Sequence, residues 1–242
     1  IEHKALSISQ ITHLVIDEAD KMFQLGFEEE MDKLFAMMPS KKQTVLFSAT
    51  LNDKVEEIKK RLTINPVLVE IKAEEVNLDK ITQLAYHVTE ERKGPFLRYL
   101  IKEKNIKQAL VFTSSTRSAD NLAEKLKKNK IPATAVHGKK SQGSRSGNLH
   151  DFKEGGTQIL VATDLIGRGI HIDSLEYVIN YELPRSPLDY VHRIGRTGRA
   201  LESGTAITIL TDDELQHFRV IQKKMGKRVE LIRTEDINLH GF

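Results

Sequence analysis

Short apolar runs rich in β-branched residues alternate with segments of helical periodicity along most of the chain. The runs at 11–17 (ITHLVID), 109–112 (ALVF) and 159–162 (ILVA) are typical. Runs that are apolar throughout are the pattern of strands buried on both faces of a parallel sheet. Apolar residues at helical spacing, as in 119–126, fill the segments between them. The sequence therefore predicts an α/β fold with a mostly parallel sheet and helices on both faces.

Further strands are predicted at 44–47, 67–71, 84–88, 132–136, 177–180 and 205–210. Polar residues with little periodicity occupy 73–82, which indicates a linker. The sequence thus predicts a first part, 1–72, and a second part, 83–242, each with its own strands and helices.

Composition excludes several classes of function. The 242 residues contain 37 basic and 34 acidic side chains, so the net charge of +3 requires any basic site to be local. Cysteine is absent, which excludes disulfides and thiolate chemistry and agrees with a predicted cytoplasmic location. The nine histidines lack metal-ligand spacing, so we expect no zinc or iron. No apolar run reaches membrane-spanning length, so we expect no membrane association.

The run at 192–199 (HRIGRTGR) is the segment most typical of a phosphate-binding site. It contains three arginines, a histidine and two glycines. Arginine binds phosphate oxygens in a bidentate manner, and glycine allows close approach of a ligand to the backbone. The alternative interpretation is a basic surface turn.

Carboxylates follow the first predicted strand, in the run at 17–20 (DEAD). The carboxyl ends of strands in open α/β sheets are where ligands bind, and paired carboxylates there can hold hydrated Mg²⁺ and orient water. The alternative is an acidic loop that leads into a helix.

Six motifs in order resemble those of the DEAD-box RNA helicases, and the resemblance covers nearly the whole chain. They are Asp17-Glu18-Ala19-Asp20, Ser48-Ala49-Thr50, Val111-Phe112-Thr113, Gln142 with Arg145, Ala162 through Gly169, and His192 through Arg199. In its overall sequence, although not in any single motif, the chain most resembles bacterial members of the family. The resemblance implies two RecA-like lobes with ATP between them and single-stranded RNA across both. Residues 1–72 would be the latter part of the first lobe, and 83–242 a complete second lobe.

The resemblance also implies roles for individual residues. Asp17 would bind Mg²⁺ through water, and Glu18 would orient or deprotonate the water that attacks ATP. Arg196 and Arg199 would stabilise charge on the γ-phosphate, and Gly169 and His171 would lie beside the nucleotide. The residues implied in coupling the lobes are Asp20, Ser48, Thr50 and His192.

A further set is implied in sequence-independent RNA binding: Arg117, Gly138, Gln142, Arg145, Thr163 and Arg168. Arg193 is interpreted as structural or auxiliary, and Gly195 and Gly198 as residues that shape the loop. The basic segment 223–228 is either a solvated helix end or an additional RNA contact.

The sequence departs from the family pattern in two places. No Gly-Lys-Ser/Thr loop occurs in it, so we expect that loop to precede Ile1 and the chain alone to be inactive as an ATPase. The first lobe would then lack strands, and its unpaired edges predict a dimer or swapped contact. His171 stands where the family usually has Asp, which is either tolerated or adds charge beside the nucleotide when the ring is protonated.

Three functions remain open from the sequence. The first is an ATP-dependent RNA helicase or remodeller of RNA–protein complexes. The second is a non-catalytic RNA-binding or regulatory module made of the second lobe. The third, a relative that acts on DNA, is disfavoured by the combination of motifs.

Overall fold

The structure is a computed structural model that describes residues 6–24, 28–48, 50–51, 53–70, 78–164, 175–198 and 204–242. The chain divides into two compact units, Ile1–Lys72 and Ala73–Phe242. Every helix in the described ranges is too short or too polar to span a lipid bilayer.

The first unit contains a two-stranded parallel sheet and three helices. The strands are β1 (His13–Ile16) and β2 (Gln43–Leu46), paired in register along their whole length. The helices are α1 (Ala19–Gln24), α2 (Glu28–Ala36) and α3 (Asp53–Leu62). In the described part of this unit the buried apolar core is small and consists of Ile16, Ala19, Met31, Val55 and Ile58.

The strand predicted at 67–71 is not observed, because residues 67–70 lie in no strand. Val67 is 88% exposed and Val69 is 76% exposed. β-branched residues favour strands mainly by packing on a pleated surface against neighbours. The described part of this unit offers them no such surface.

The second unit is built on a seven-stranded sheet in the order β5-β6-β4-β7-β8-β3-β9. All its neighbouring strands are parallel. In chain order the strands are β3 (Ile81–His87), β4 (Ala109–Phe112), β5 (Ala133–Val136), β6 (Ile159–Ala162), β7 (Tyr177–Asn180), β8 (Gly204–Leu210) and β9 (Leu231–Arg233).

Helices cover both faces of this sheet. They are α4 (Glu90–Glu103), α5 (Thr116–Lys128), α6 (Gln142–Lys153), α7 (Pro187–Ile194) and α8 (Leu215–Met225). Alternate residues of β4 and β6 belong to different cores: α4 and α5 pack in one with Val111, whereas α6 packs in the other with Phe112. The fold class predicted from the sequence is therefore confirmed.

Strand β3 begins at Ile81, inside the segment 73–82 that the sequence predicts to be a linker. Ile81 is only 2% exposed and pairs with Gly204, so burial overrides the polar character of its neighbours. The sequence pattern does not predict strand β9, because three residues are too few for a period-two pattern.

Candidate functional site

The first candidate carboxylates lie directly after β1. Asp17 and Glu18 are both exposed, and the Glu18 backbone N–H donates to Asp17 Oδ1 at 2.8 Å. Glu18 has a φ of 49°, in the left-handed region that is unusual for glutamate and is found most often at functional sites. The turn leaves both carboxylates accessible, as oxygen ligands of a hydrated Mg²⁺ must be.

Three residues assigned to coupling come together in the first unit. Asp20 is 5% exposed, and its Oδ2 accepts a hydrogen bond of 2.9 Å from Thr50 Oγ1. Ser48 Oγ donates to the Thr50 carbonyl oxygen at 2.6 Å. The parallel pairing of β1 with β2 places the residues that follow each strand side by side. The fourth residue, His192, lies in the second unit.

The candidate RNA residues follow three neighbouring strands of the second unit. The last residues of β5, β6 and β4 lie side by side in the sheet. Gly138 lies two residues after β5, Thr163 directly after β6, and Arg117 in the first turn of the helix after β4. Arg117 and Gly138 are exposed, whereas Thr163 is buried. These residues therefore share the carboxyl edge of the sheet.

The first turn of α6 supplies two more candidates. Ser141 caps this helix by accepting a hydrogen bond from the Ser144 backbone N–H at 3.2 Å. The guanidinium of Arg145 donates to the side-chain oxygen of Gln142. Arg145 Nε is buried without a hydrogen-bond partner among the described residues. A buried N–H of this kind needs an acceptor from water or from a ligand.

A polar cluster holds the turn that carries Gly138. His137 is 2% exposed, and its Nε2 lies 2.9 Å from Asp120 Oδ2. Lys140 Nζ lies 2.8 Å from the other oxygen of Asp120. Burial raises the pKa of Asp120, but hydrogen bonds from Lys140 and His137 outweigh it and hold that pKa below its ordinary value. No sequence signal points to Asp120, which lies on the preceding helix.

Arg193, interpreted from the sequence as structural or auxiliary, is buried and donates four hydrogen bonds within the second unit. It is 2% exposed, and its Nε and Nη2 contact the two carboxylate oxygens of Asp164 at 2.5 and 2.9 Å. Its Nη1 donates to Asn180 Oδ1 at 3.1 Å and to the Glu182 carbonyl oxygen at 2.6 Å. Its guanidinium carbon lies 4.9 Å from the centre of the Phe112 ring. Four of its five guanidinium N–H groups therefore have acceptors within the protein.

The loop after α7 depends on one of its two glycines. Gly195 has an ordinary φ of −68°, whereas Gly198 has a φ of 67°. A Cβ at position 198 would lie 2.8 Å from Ile81 Cγ1. Gly204, which the sequence reasoning missed, is required more strongly, since a Cβ there would lie 1.8 Å from Thr197 Oγ1.

Helix α7 and the loop after it carry the remaining described candidates. His192 and Arg196 are both half-buried, and the Arg196 backbone N–H donates to the Arg193 carbonyl oxygen at 3.1 Å. Thr197 Oγ1 donates to the carbonyl oxygens of Leu175 and Glu176, which precede β7. The residue after Arg196 is thus fixed at the amino end of β7, whereas the RNA candidates follow the carboxyl ends of strands. Four candidates lie outside the described residues: Arg168, Gly169, His171 and Arg199.

The described ranges contain no cluster of three or more histidine, aspartate or glutamate side chains arranged to hold a metal ion. Asp17 and the adjacent Glu18 would provide carboxylate oxygens on one side of a metal ion only. Such an arrangement suits Mg²⁺, which keeps most of its water ligands and binds through one or two carboxylates.

Two family models match the chain. The model described as helicase conserved C-terminal domain matches residues 92–201, and the model described as DEAD/DEAH box helicase matches residues 1–58. The DEAD-box ATP-dependent RNA helicase CshA of Geobacillus kaustophilus is 37% identical over 243 residues, which cover 100% of this chain and 52% of the relative. For CshA of Bacillus subtilis the identity is 35%, with coverage of 100% and 49%. The chain spans about half the length of these curated relatives.

Solved structures agree with these matches. Dbp5 of S. cerevisiae bound to RNA and ADP BeF3 is 33% identical, with a TM-score of 0.78 over 97% of this chain and 63% of that chain. The C-terminal domain of the DEAD-box protein Dbp5 is 32% identical, with a TM-score of 0.60 over 65% of this chain and 92% of that domain. The chain therefore belongs to the DEAD-box family of helicases.

Proposed function

We propose that the chain is part of an ATP-dependent RNA helicase that couples ATP binding and hydrolysis to local duplex unwinding or remodelling of RNA–protein complexes. One observation carries the proposal: the described RNA candidates share the carboxyl edge of neighbouring strands β5, β6 and β4. That edge is where ligands bind in open α/β sheets. The relatives CshA of Geobacillus kaustophilus and of Bacillus subtilis are named as RNA helicases, which agrees with the proposal.

Binding at this edge would be independent of RNA sequence. The candidates offer arginine side chains, a hydroxyl and the backbone of an exposed glycine, which suit phosphates and 2′-hydroxyls rather than base edges. The buried Nε of Arg145 supports an acceptor at this place. Affinity should therefore fall steeply as salt concentration rises.

ATP and Mg²⁺ are the proposed cofactors. Asp17 would hold Mg²⁺ through water, and Glu18 would orient or deprotonate the attacking water. Arg196 and Arg199 would stabilise negative charge on the γ-phosphate, and Gly169 and His171 would lie beside the nucleotide. Phosphoryl transfer is catalysed mainly by such positioning and charge stabilisation. The assignment of the two units as RecA-like lobes, and the coupling of His192 to Asp20, are parts of the same proposal.

RNA binding tests the proposal directly on the 242-residue chain. Fluorescence anisotropy with matched single-stranded RNA and DNA oligonucleotides should give tighter binding to RNA. Arg145→Ala should weaken RNA binding by about 10- to 100-fold, since a charge-assisted hydrogen bond contributes about 1.5–3 kcal/mol. The matched control is Arg233→Ala, because the Arg233 side chain is 80% exposed on β9, far along the sheet order from β5. Equal effects of the two substitutions would contradict the proposed site.

A second candidate function is a non-catalytic RNA-binding or regulatory module. The described RNA candidates lie in the second unit, so this unit would bind RNA by itself. The 242 residues contain no Gly-Lys-Ser/Thr sequence, the loop that cradles the β- and γ-phosphates of ATP. We expect these residues alone to show no ATP turnover with or without RNA. RNA-stimulated turnover in a steady-state assay would refute that expectation and favour the enzyme.

Two further expectations belong to the proposal. A dimer or swapped contact through the first unit predicts a mass above that of one chain in light scattering, and a monomer would contradict it. A cytoplasmic location stays a prediction.

A further inference from the structure

Seven lysines lie together at the amino edge of the seven-stranded sheet, opposite to the edge that carries the candidate RNA residues. Helices α4 and α5 both follow the carboxyl end of a strand and run back, so their last turns lie at the amino edge. Both helices pack in the same core, on one face of the sheet. Residues 100–107 and 124–130, which end these helices, contain seven lysines and only two carboxylates. We call this surface the amino-edge patch: Lys102, Lys104, Lys107, Lys125, Lys127, Lys128 and Lys130.

A cavity of about 400 Å³ joins the two helix ends. Its lining includes Arg98, Lys102 and Lys107 from the α4 side and Asn129 from the end of α5. The two halves of the patch therefore border one recess.

Most of the patch is not neutralised by the protein. Lys128 contacts Glu124 at 2.8 Å, and Lys102 lies over the ring of Phe242 at 5.1 Å. For the other five lysines, the described part of the chain contains no carboxylate within ion-pair distance. All of the patch except the half-buried Lys104 is exposed.

Helix dipoles explain only part of this arrangement. A cation in the last turn of a helix interacts favourably with the carbonyl end, and four of the seven are so placed: Lys102, Lys125, Lys127 and Lys128. The other three, Lys104, Lys107 and Lys130, lie beyond the helix ends, where that interaction fades within a turn. Clustered like charges repel one another in the folded state. A polyanionic ligand relieves that repulsion.

We propose that the amino-edge patch binds the phosphate backbone of a structured RNA segment that flanks the strand held at the carboxyl edge. This inference rests on the proposed function, since RNA is the polyanion for which the carboxyl edge is suited. Exposed lysines bind phosphates as point charges without reading bases, so duplex RNA of any sequence fits. The second unit would then contact one RNA molecule at two opposite edges.

The test compares two RNAs on the 242-residue chain. One is a single strand of about six nucleotides, a length that one binding surface covers. The other carries the same strand next to a hairpin of about 16 base pairs, the length that a shape-reading RNA-binding domain spans. The patch variant combines Lys107→Ser, Lys125→Ser and Lys127→Ser, and its matched control replaces the same lysines by arginine. Thermal melting followed by circular dichroism establishes that both variants are folded.

We expect the serine variant to bind the hairpin RNA about tenfold more weakly and the six-nucleotide strand unchanged. The slope of log affinity against log salt for the hairpin RNA should fall by about 0.9 for each phosphate that the variant no longer neutralises. The arginine variant should keep both the affinity and the slope. An unchanged hairpin affinity in the serine variant, or an equal loss for both RNAs, would overturn the inference.

Further measurements distinguish a failure of this inference from a failure of the proposed function, and RNA binding from membrane binding. If the unsubstituted chain binds neither RNA, the proposed function itself fails. If Arg145→Ala weakens binding of the short strand while the serine variant binds the hairpin normally, only the patch is wrong. Vesicles containing phosphatidylserine provide the membrane alternative: vesicle binding that disappears in the serine variant, with hairpin binding intact, would replace RNA by an anionic membrane surface.

Discussion

Arg193 shows how three arginines in one short motif divide into different roles. Its guanidinium is buried between Asp164, Asn180 and the Glu182 carbonyl. Replacing it by methionine leaves the Asp164 carboxylate without its cation. We expect Arg193→Met to lower the free energy of unfolding of the second unit by about 3–5 kcal/mol. Urea denaturation followed by circular dichroism measures this loss.

Three comparisons separate charge from packing at this site. Arg193→Lys keeps the charge but cannot contact both oxygens of Asp164, so its loss should be smaller. Adding Asp164→Asn to Arg193→Met should recover part of the stability, because no unpaired charge then remains. Arg219→Met, at an exposed position on α8, should change little. An Arg193→Met chain that unfolds at the unsubstituted urea midpoint would contradict this assignment.

Sequence reasoning reaches the motif residues but cannot reveal this pairing. The order and spacing of motifs indicate candidate positions for Asp17, Thr163 and Arg196, since each lies close to the end of a strand or helix. The carboxylate that pairs with Arg193 belongs to Asp164, 29 residues earlier in the chain. The two residues meet because β6, which precedes Asp164, and β7, which precedes the helix of Arg193, lie on either side of β4 in the sheet. Nothing local in the motif distinguishes a buried arginine from an exposed one.

Elements are predictable where the apolar signal is unbroken. The buried strands β4 and β6 follow from four-residue runs that are apolar throughout. The sequence-based predictions are wrong where tertiary contacts determine the secondary structure. Strand β3 starts earlier than its apolar pattern indicates, and residues 67–70 lack the strand that their valines suggest. Strand β9 forms because the segment around it is held against β3 and α4 by contacts that no periodicity reveals.

Arg92 on α4 makes three of those contacts. Its Nη2 donates to the carbonyl oxygens of Thr234 and Ile237 at 2.7 Å each, and its Nη1 donates to the Glu235 carbonyl oxygen at 3.4 Å. Arg92→Met should lower the local opening free energy of the segment from β9 onward by about 1.5–3 kcal/mol. The amides of that segment should then exchange about 10- to 100-fold faster in hydrogen-exchange mass spectrometry.

The matched control for Arg92 is Arg233→Met. Arg233 lies in the same C-terminal region, but its side chain is 80% exposed and its contact with Glu235 is 3.6 Å long. An exposed ion pair contributes at most about 1 kcal/mol. Exchange that accelerates equally in the two variants would assign the effect to the missing charge rather than to the backbone contacts of Arg92.

At the scale of the whole molecule, the fold class follows from the sequence because apolar strands that alternate with helices have few ways to bury both faces. The difference in core size between the two units does not follow from it. Among the described residues, the first unit has five buried apolar side chains around two strands, whereas the second has three clusters around seven strands. A two-stranded sheet with so small a core is marginal by itself.

This difference predicts two separate unfolding transitions. In hydrogen-exchange mass spectrometry at increasing urea concentration, amides of β1, β2 and α3 should lose protection at a lower concentration than those of β4 and β6. Ile58→Ala removes a core side chain of the first unit, and Leu160→Ala removes one from the second, each at a cost of about 2–5 kcal/mol. Each substitution should shift the midpoint of its own unit alone. A single shared midpoint, or a substitution that shifts both, would mean that the two units fold as one, because coupled units transmit destabilisation to each other.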